Sequence, residues 1–367
     1  MPKSRTLRGR APQEAEVLKQ LPYPLFMSRE LVERFAAIPL YESNNPKKPE
    51  WRETPVSRVD LSKDGYGILS IKDESDRRSN PTGTFKDRLA WEVATIYRDW
   101  AISLDKERSL EHRRVRVPRF SIITSGNAGS AFASMFESYG LPPVKLLIDA
   151  SCPKERVKAL LGMHADIYRA DLDGELGEKD IRKLTSNTSG IDIDSSVRSL
   201  DLNSVAYDWH VIEALNIGAD RIFLPYGSGL LFENYLTWQK LIARMNGNTD
   251  PRLAIPKNRV PSMNIMAAEP RRIVNSSADK LTKHHNPFRF YTESDLRVMK
   301  KLGLTGLDSG KYKVPEDYLD EAYRIMSRIV PCEKSACAGL ALYLFQYDIG
   351  LISPDEKCLI VNTGKGI

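Results

Sequence analysis

Short apolar runs rich in β-branched residues recur along the chain, at Ile68–Ile71, Phe120–Thr124, Val144–Ile148, Ile222–Leu224, Ile265–Ala268 and Leu359–Val361. Their length and composition predict short buried strands. Between several of them lie stretches with helical periodicity, such as Asp87–Trp100, Ser130–Tyr139, Pro153–Leu161 and Leu230–Met245. Buried strands alternating with amphipathic helices predict an α/β fold built on mostly parallel sheet. Ligands in such folds sit at the carboxyl ends of strands, so the turns there are the first places to look for chemistry. The polar segment Asn44–Pro55 carries three prolines, Pro46, Pro49 and Pro55, and reads as a connector.

Composition changes this picture little. With 367 residues, 41% hydrophobic and 28% charged, the chain is long enough for one or two domains with a sizeable core. No apolar run approaches the ~18 residues of a membrane span. The start, MPKSRTLRGR, is basic but has no apolar stretch behind it, which reads as a tail rather than a secretory signal. Net charge is only +6. Arginines cluster between Lys106 and Arg119, yet Glu107 and Glu111 dilute them, so a solvated loop is expected and no nucleic-acid partner. Cys152, Cys332, Cys337 and Cys358 form no CxxC pair, which fits a reducing, cytoplasmic setting. His284 and His285 are adjacent and unsuited to sharing one metal on a helix, and no structural metal site is expected.

Four turns carry candidate chemistry. In Ser79–Arg88 (SNPTGTFKDR), Lys86 stands where a helix opens. The helix dipole disfavours a cation there and helps keep an amine unprotonated, although a surface lysine is the blander reading. In Thr124–Gly129 (TSGNAG), amides and hydroxyls at a helix start suit a carboxylate, and Asn127 can donate to a phenolate oxygen; a plain capped turn is the alternative. In Tyr226–Leu230 (YGSGL), backbone amides and the Ser228 hydroxyl suit a phosphate. That turn has neither GxGxxG spacing nor a P-loop GK[ST], which argues against dinucleotides and nucleoside triphosphates. In Asn362–Gly366 (NTGKG), a hydroxyl at a strand end can meet a ring nitrogen, or the glycines simply end a strand.

Taken together and in this order, the four turns resemble the fold-type-II family of pyridoxal-5′-phosphate (PLP) enzymes, which includes threonine synthase, cysteine synthase, the serine and threonine dehydratases and tryptophan synthase β. The resemblance runs from about Arg52 to the end of the chain. Thr54-Pro55-Val56, Ile71–Ser75, Ala268-Glu269-Pro270 and Glu333–Ala336 resemble further family segments, and Pro81–Arg88 is similar to the PTGSFKDR pattern of threonine synthases. It implies that Lys86 binds the cofactor covalently and that Asn127 contacts the ring hydroxyl. Thr124, Ser125 and Asn127 would hold the substrate carboxylate. Gly227, Ser228, Gly229 and Leu230 would wrap the phosphate, and Thr363 would face the pyridine nitrogen. A neutral hydroxyl in that last position does not force a proton onto the ring, which favours elimination or replacement at the side chain over transamination.

The resemblance further implies two α/β domains, each a mostly parallel sheet flanked by helices. Residues 51–88 and 203–367 would form the larger, PLP-binding domain, 89–202 a smaller mobile substrate domain, and 1–50 an N-terminal extension. A homodimer and an amino-acid substrate are implied, with no membrane partner. The expected reaction is a threonine-synthase-like lyase or synthase reaction on O-phosphohomoserine. Cysteine-synthase-like β-replacement, a serine/threonine dehydratase and a PLP-binding homologue without turnover are the alternatives. The chain departs from its relatives at Leu89-Ala90, where threonine synthases carry a glycine, at Ala128, where cysteine synthases carry threonine, and at Pro331–Lys334, in place of EPS. These departures put the substrate in doubt rather than the cofactor. The segment 271–310 carries no assignment beyond a lid or a dimer contact.

Overall fold

The computed structural model describes residues 53–95, 97, 120–124, 126–150, 152–170, 193–194, 207–227, 229–244, 263–270, 293–353 and 355–366. Two sheets organise them. The larger has six strands, β1 (Val56–Asp60), β2 (Ile68–Asp73), β7 (Arg221–Pro225), β8 (Asn264–Pro270), β9 (Gly310–Val314) and β10 (Cys358–Asn362), in the order β1-β2-β10-β7-β8-β9. The smaller has four, β3 (Phe120–Ile123), β4 (Val144–Asp149), β5 (Ala165–Ala170) and β6 (Ile193–Asp194), in the order β5-β4-β3-β6. Every pairing is parallel except β1 with β2. The α/β class and the mostly parallel sheets agree with the sequence reading.

The physics of the strands follows their place in the sheets. β10 lies between β2 and β7 and is buried at all five positions, Cys358 to Asn362, because both of its faces are covered. β1 sits at the sheet edge, and four of its five residues are exposed. Alternate residues of the central strands feed two cores. Phe223, Met266 and Ile360 point to one face, against α7 (Glu316–Met326) and α8 (Ala338–Asp348). Ile222, Leu224, Ile265, Leu359 and Val361 point to the other, where α4 (Asp208–Asn216) and α5 (Leu230–Arg244) cover them. α8 is buried at eight of its eleven positions and lies directly on β7. A Cβ at Gly339 would come within 2.8 Å of the Phe223 carbonyl oxygen, so only glycine permits this approach.

The second core continues into the smaller sheet. The helix over 86–95, α1, contributes Leu89, Ala90, Trp91, Val93 and Ala94 to it. α2 (Asn127–Ser138) contributes Phe132 and Phe136, which pack on Phe120, with ring centroids 4.9 and 5.3 Å apart. α3 (Lys154–Leu161) adds Val157 and Leu160. The remaining described helix, α6 (Glu293–Lys301), falls in the segment without a sequence assignment and buries Met299. Among the described residues no helix is long and apolar enough to cross a membrane.

Two carboxyls are buried in this core. Glu92 of α1 is 8% exposed and Asp208 of α4 is 5% exposed. Burial pushes both up to about 8, and the Asp208 charge adds to the shift at Glu92. Asn234 donates to Oδ1 of Asp208 at 2.7 Å, and this bond and the Trp238 indole offset the effect of burial only in part. In the unfolded chain both groups titrate near pH ~4. The folded chain therefore holds the extra protons, and this contribution to stability is full below about pH 4 and lost as pH rises through about 8. Glu92→Gln is expected to remove part of that loss, raising stability at pH ~9 by on the order of 1–3 kcal/mol with little change at pH ~5. Denaturant titrations at the two pH values measure it, and an equal effect at both would contradict the assignment.

Candidate functional site

Strands β2, β10 and β7 are neighbours and run in one direction, so the turns at their carboxyl ends are adjacent. The first and fourth turns, Ser79–Arg88 and Asn362–Gly366, are stitched together. Thr84 and Gly364 form an isolated bridge, and the Phe85 amide and the Thr84 hydroxyl both donate to the Thr363 carbonyl at 3.1 Å. Lys365 N donates to the Gly83 carbonyl at 3.1 Å. Gly364 makes this crossing possible: its φ is 145°, and a Cβ there would lie 2.8 Å from the Gly83 carbonyl oxygen.

Lys86 is the first residue of α1. Its amine donates to the Tyr207 hydroxyl at 3.2 Å and lies over two rings, 4.6 Å from the centroid of Phe85 and 5.5 Å from that of Tyr207. No carboxylate pairs with it among the described residues, and burial alone lowers its ammonium to about 8. Burial holds the Tyr207 phenol well above its ordinary value, so its oxygen is a neutral acceptor. Tyr207 entered none of the sequence assignments. It precedes α4 and meets Lys86 across 121 positions, a contact no local pattern encodes. Reaction of the Lys86 amine with an aldehyde is expected to rise with pH to a midpoint near 8, read by borohydride trapping; a midpoint near 10 would mean an ordinary surface lysine.

The lysine turn is anchored by a buried charge network. Arg88 Nε donates to Glu74 Oε2 at 3.0 Å, and its Nη1 and Nη2 donate to the two oxygens of Glu213 at 3.0 and 2.9 Å. Lys72 Nζ is 2.7 Å from Glu213 Oε2 and 2.6 Å from the Thr54 hydroxyl. His210 Nδ1 lies 2.7 Å from Glu74 Oε1, and Tyr235 closes the far side of that ring at 3.0 Å. Burial pushes both carboxyls up, but the Arg88 guanidinium, aided by Lys72 and, at Glu74, by His210, holds each below the usual range. The fork of Arg88, two residues after Lys86, thereby fixes the first turn of α1.

The other turns are placed as follows. Thr124 follows β3, and its hydroxyl accepts the amides of Gly126 and Gly129 at 3.3 and 3.1 Å, leaving the hydroxyl hydrogen free to be donated. Asn127 is the first residue of α2, three positions before the predicted start. Its Nδ2 donates to Glu333 Oε1 at 2.8 Å, and the Glu333 amide donates to the Gly364 carbonyl at 3.0 Å. Burial raises the Glu333 carboxyl. Glu333 thus joins the asparagine turn to the Thr363 turn; sequence had singled out its segment but given it no role. Gly227 has open space where a side chain would be, Gly229 has φ 86°, and Leu230 opens the 15-residue α5. Ser125 and Ser228 lie outside the described residues.

These residues fit a PLP-like group. An amine without an anionic partner awaits an aldehyde. A glycine turn at the start of a long helix, open at Gly227 and walled by Tyr226 at Gly229, supplies amides and a positive dipole end for a phosphate. Comparison with known proteins agrees: the family model "Pyridoxal-phosphate dependent enzyme" matches residues 47–364. The chain belongs to this family. No curated protein sequence matches the chain significantly. Among solved structures, this PLP-dependent enzyme is similar to diaminopropionate ammonia lyase from Escherichia coli in its apo form, with 14% identity and a TM-score of 0.60, covering 93% of this chain and 89% of that one. It is also similar to cysteine synthase from Entamoeba histolytica (14% identity, TM-score 0.58, 88% of each chain) and to maize serine racemase (19% identity, TM-score 0.55, 92% of this chain and 93% of that one). At such identities the likeness is one of fold.

Proposed function

We propose that the chain is a lyase or synthase that eliminates or replaces a group on the side chain of an amino acid, threonine-synthase-like, with Lys86 as the residue that carries PLP. The observation that carries this reading is the Lys86 amine, held between Phe85 and Tyr207 without a carboxylate partner and stitched through Thr84 to the Thr363 turn. Gly227, Ser228, Gly229 and Leu230 would hold the cofactor phosphate, Asn127 its ring hydroxyl and Thr363 its ring nitrogen. Thr124, Ser125 and Asn127 would hold the substrate carboxylate. When bound, PLP supplies an electron sink for the substrate α-carbon. Lys86 Nζ takes the proton from that carbon as general base, a role suited to an amine with a lowered pKa.

A cleft of about 480 Å³ lies beside the lysine turn, lined in part by Arg77, Thr82, Ser130, Ser134, Glu137 and Lys365. Lys86, Thr124, Asn127, Gly227 and Thr363 do not line this cleft. O-phosphohomoserine is proposed as the substrate from the resemblance of Pro81–Arg88 to the threonine-synthase pattern. The reading includes a larger domain of 51–88 with 203–367, a smaller one of 89–202, a homodimer and a cytoplasmic location. The test is a screen of the PLP-loaded chain against O-phosphohomoserine, serine and threonine, following both phosphate and keto-acid release. Phosphate release from O-phosphohomoserine supports the proposal. Keto acid from serine or threonine without phosphate release points to the dehydratase alternative. A chain that takes up PLP and turns over none of them counts against catalysis of this class.

A further inference from the structure

Cys332 and Cys337 bracket the 3-10 turn Lys334–Cys337, and their Sγ atoms are 3.5 Å apart. Both are free thiols. A disulfide requires about 2.05 Å, so the sulfurs need to close by only ~1.5 Å. The two thiols differ in a useful way. Cys332 is partly exposed, whereas Cys337 is buried, and its one S–H is shared between the Glu333 carbonyl, at 3.4 Å, and the Cys332 sulfur. The bond to its sulfur lowers the Cys332 thiol, and burial opposes it. A partly exposed thiol that ionises below its ordinary value, with a second thiol beside it, is the arrangement that thiol–disulfide exchange needs. Cys152 and Cys358 are buried, Cys152 in the opposite core and Cys358 on β10 in the same core as Cys337.

We propose that Cys332 and Cys337 form a reversible modification site for small disulfides, with Cys332 as the attacking thiol and Cys337 as the resolving one. The Cys332 thiolate attacks one sulfur of a disulfide RSSR and expels RS⁻, leaving a mixed disulfide on Cys332. The Cys337 thiol, which the Cys332 sulfur and burial hold well above its ordinary value, gives its proton to the first RS⁻ as it attacks the Cys332 sulfur and expels the second RS⁻, which takes a proton from solvent. In sum the two thiols lose two electrons and two protons, and RSSR becomes two RSH. The pair encloses Glu333, whose carboxylate holds Asn127 and whose amide holds Gly364. Drawing the sulfurs together moves this residue, so oxidation perturbs the contact between the asparagine turn and the Thr363 turn. The thiol chemistry stands apart from the proposed reaction; only its effect on bound cofactor rests on that reading of the site.

Trypsin separates the two cysteines after Lys334, into Ile329–Lys334 and Ser335–Lys357. The PLP-loaded full chain is exposed to oxidised glutathione, alkylated and digested without reductant. The expected product is these two peptides joined, two hydrogens lighter than their sum and split by reductant. Cys337→Ser is expected to stop at a glutathione adduct on Cys332, and Cys332→Ser to give neither species. Recovery of both peptides alkylated and unjoined, or of a stable adduct on wild-type Cys332, would overturn the proposal. The visible spectrum of bound cofactor, compared before and after oxidation, reads the link to Glu333; a joined pair with an unchanged spectrum would refute that link.

Discussion

Lys86→Ala is expected to abolish the covalent capture of PLP and to lower turnover by at least a hundredfold, up to about ten-thousandfold for loss of a general base. The fold should survive the change. Lys86 makes no ion pair among the described residues, and its amine already bears a desolvation cost, so truncation leaves no charge stranded. The measurements are the visible spectrum of the PLP-loaded chain and the mass of the peptide carrying residue 86 after borohydride reduction. A variant that keeps a reducible adduct would place the covalent link elsewhere and remove the basis of the proposed function.

Arg88→Met is expected to cost about 3–5 kcal/mol, because it leaves Glu74 and Glu213 buried with one fewer cation between them. Equilibrium unfolding in denaturant near neutral pH measures this. The pH dependence gives a second readout. Both carboxyls are held below their unfolded values, so their contribution is present above pH ~4.3 and is lost as pH falls through the lower folded values. Without Arg88 the folded values rise, and acid unfolding should begin at a higher pH than in the wild type. An unchanged acid limb would mean that Lys72 and His210 alone hold the network. Since Arg88 also fixes the turn that presents Lys86, weaker retention of PLP is expected alongside the lost stability.

Much of the fold was legible because buried parallel strands announce themselves as unbroken apolar runs. The expected runs at Ile68, Phe120, Val144, Ile222, Ile265 and Leu359 all fall within observed strands, with boundaries shifted by a residue or two. β1 (VSRVD) and β9 (GKYKV) escaped notice for the converse reason. Both are edge strands, half solvated, and their sequences read as polar segments. The start of α2 was placed late because Gly126 to Gly129 looks like a turn, whereas Asn127 already lies in the helix.

Of the site, Lys86 at a helix start and Thr363 beside its turn follow from short local motifs. Tyr207, Glu333 and Glu213 do not, because each acts through a partner more than a hundred positions away. Sequence periodicity reports which face of an element is buried, and it is silent about what that face meets. The charge network illustrates this: Lys72 and Arg88 stand in recognisable segments, but only the fold reveals that α4 brings the second carboxylate.

The central position of β10 bears on how the chain is born. Among the described strands it is the last to leave the ribosome, yet it is the rung that joins β2 to β7. Until it arrives, those two strands present open hydrogen-bonding edges to solvent or to each other in the wrong register. Nascent chains therefore pass through a stage vulnerable to aggregation, and vitamin uptake must wait for nearly complete translation.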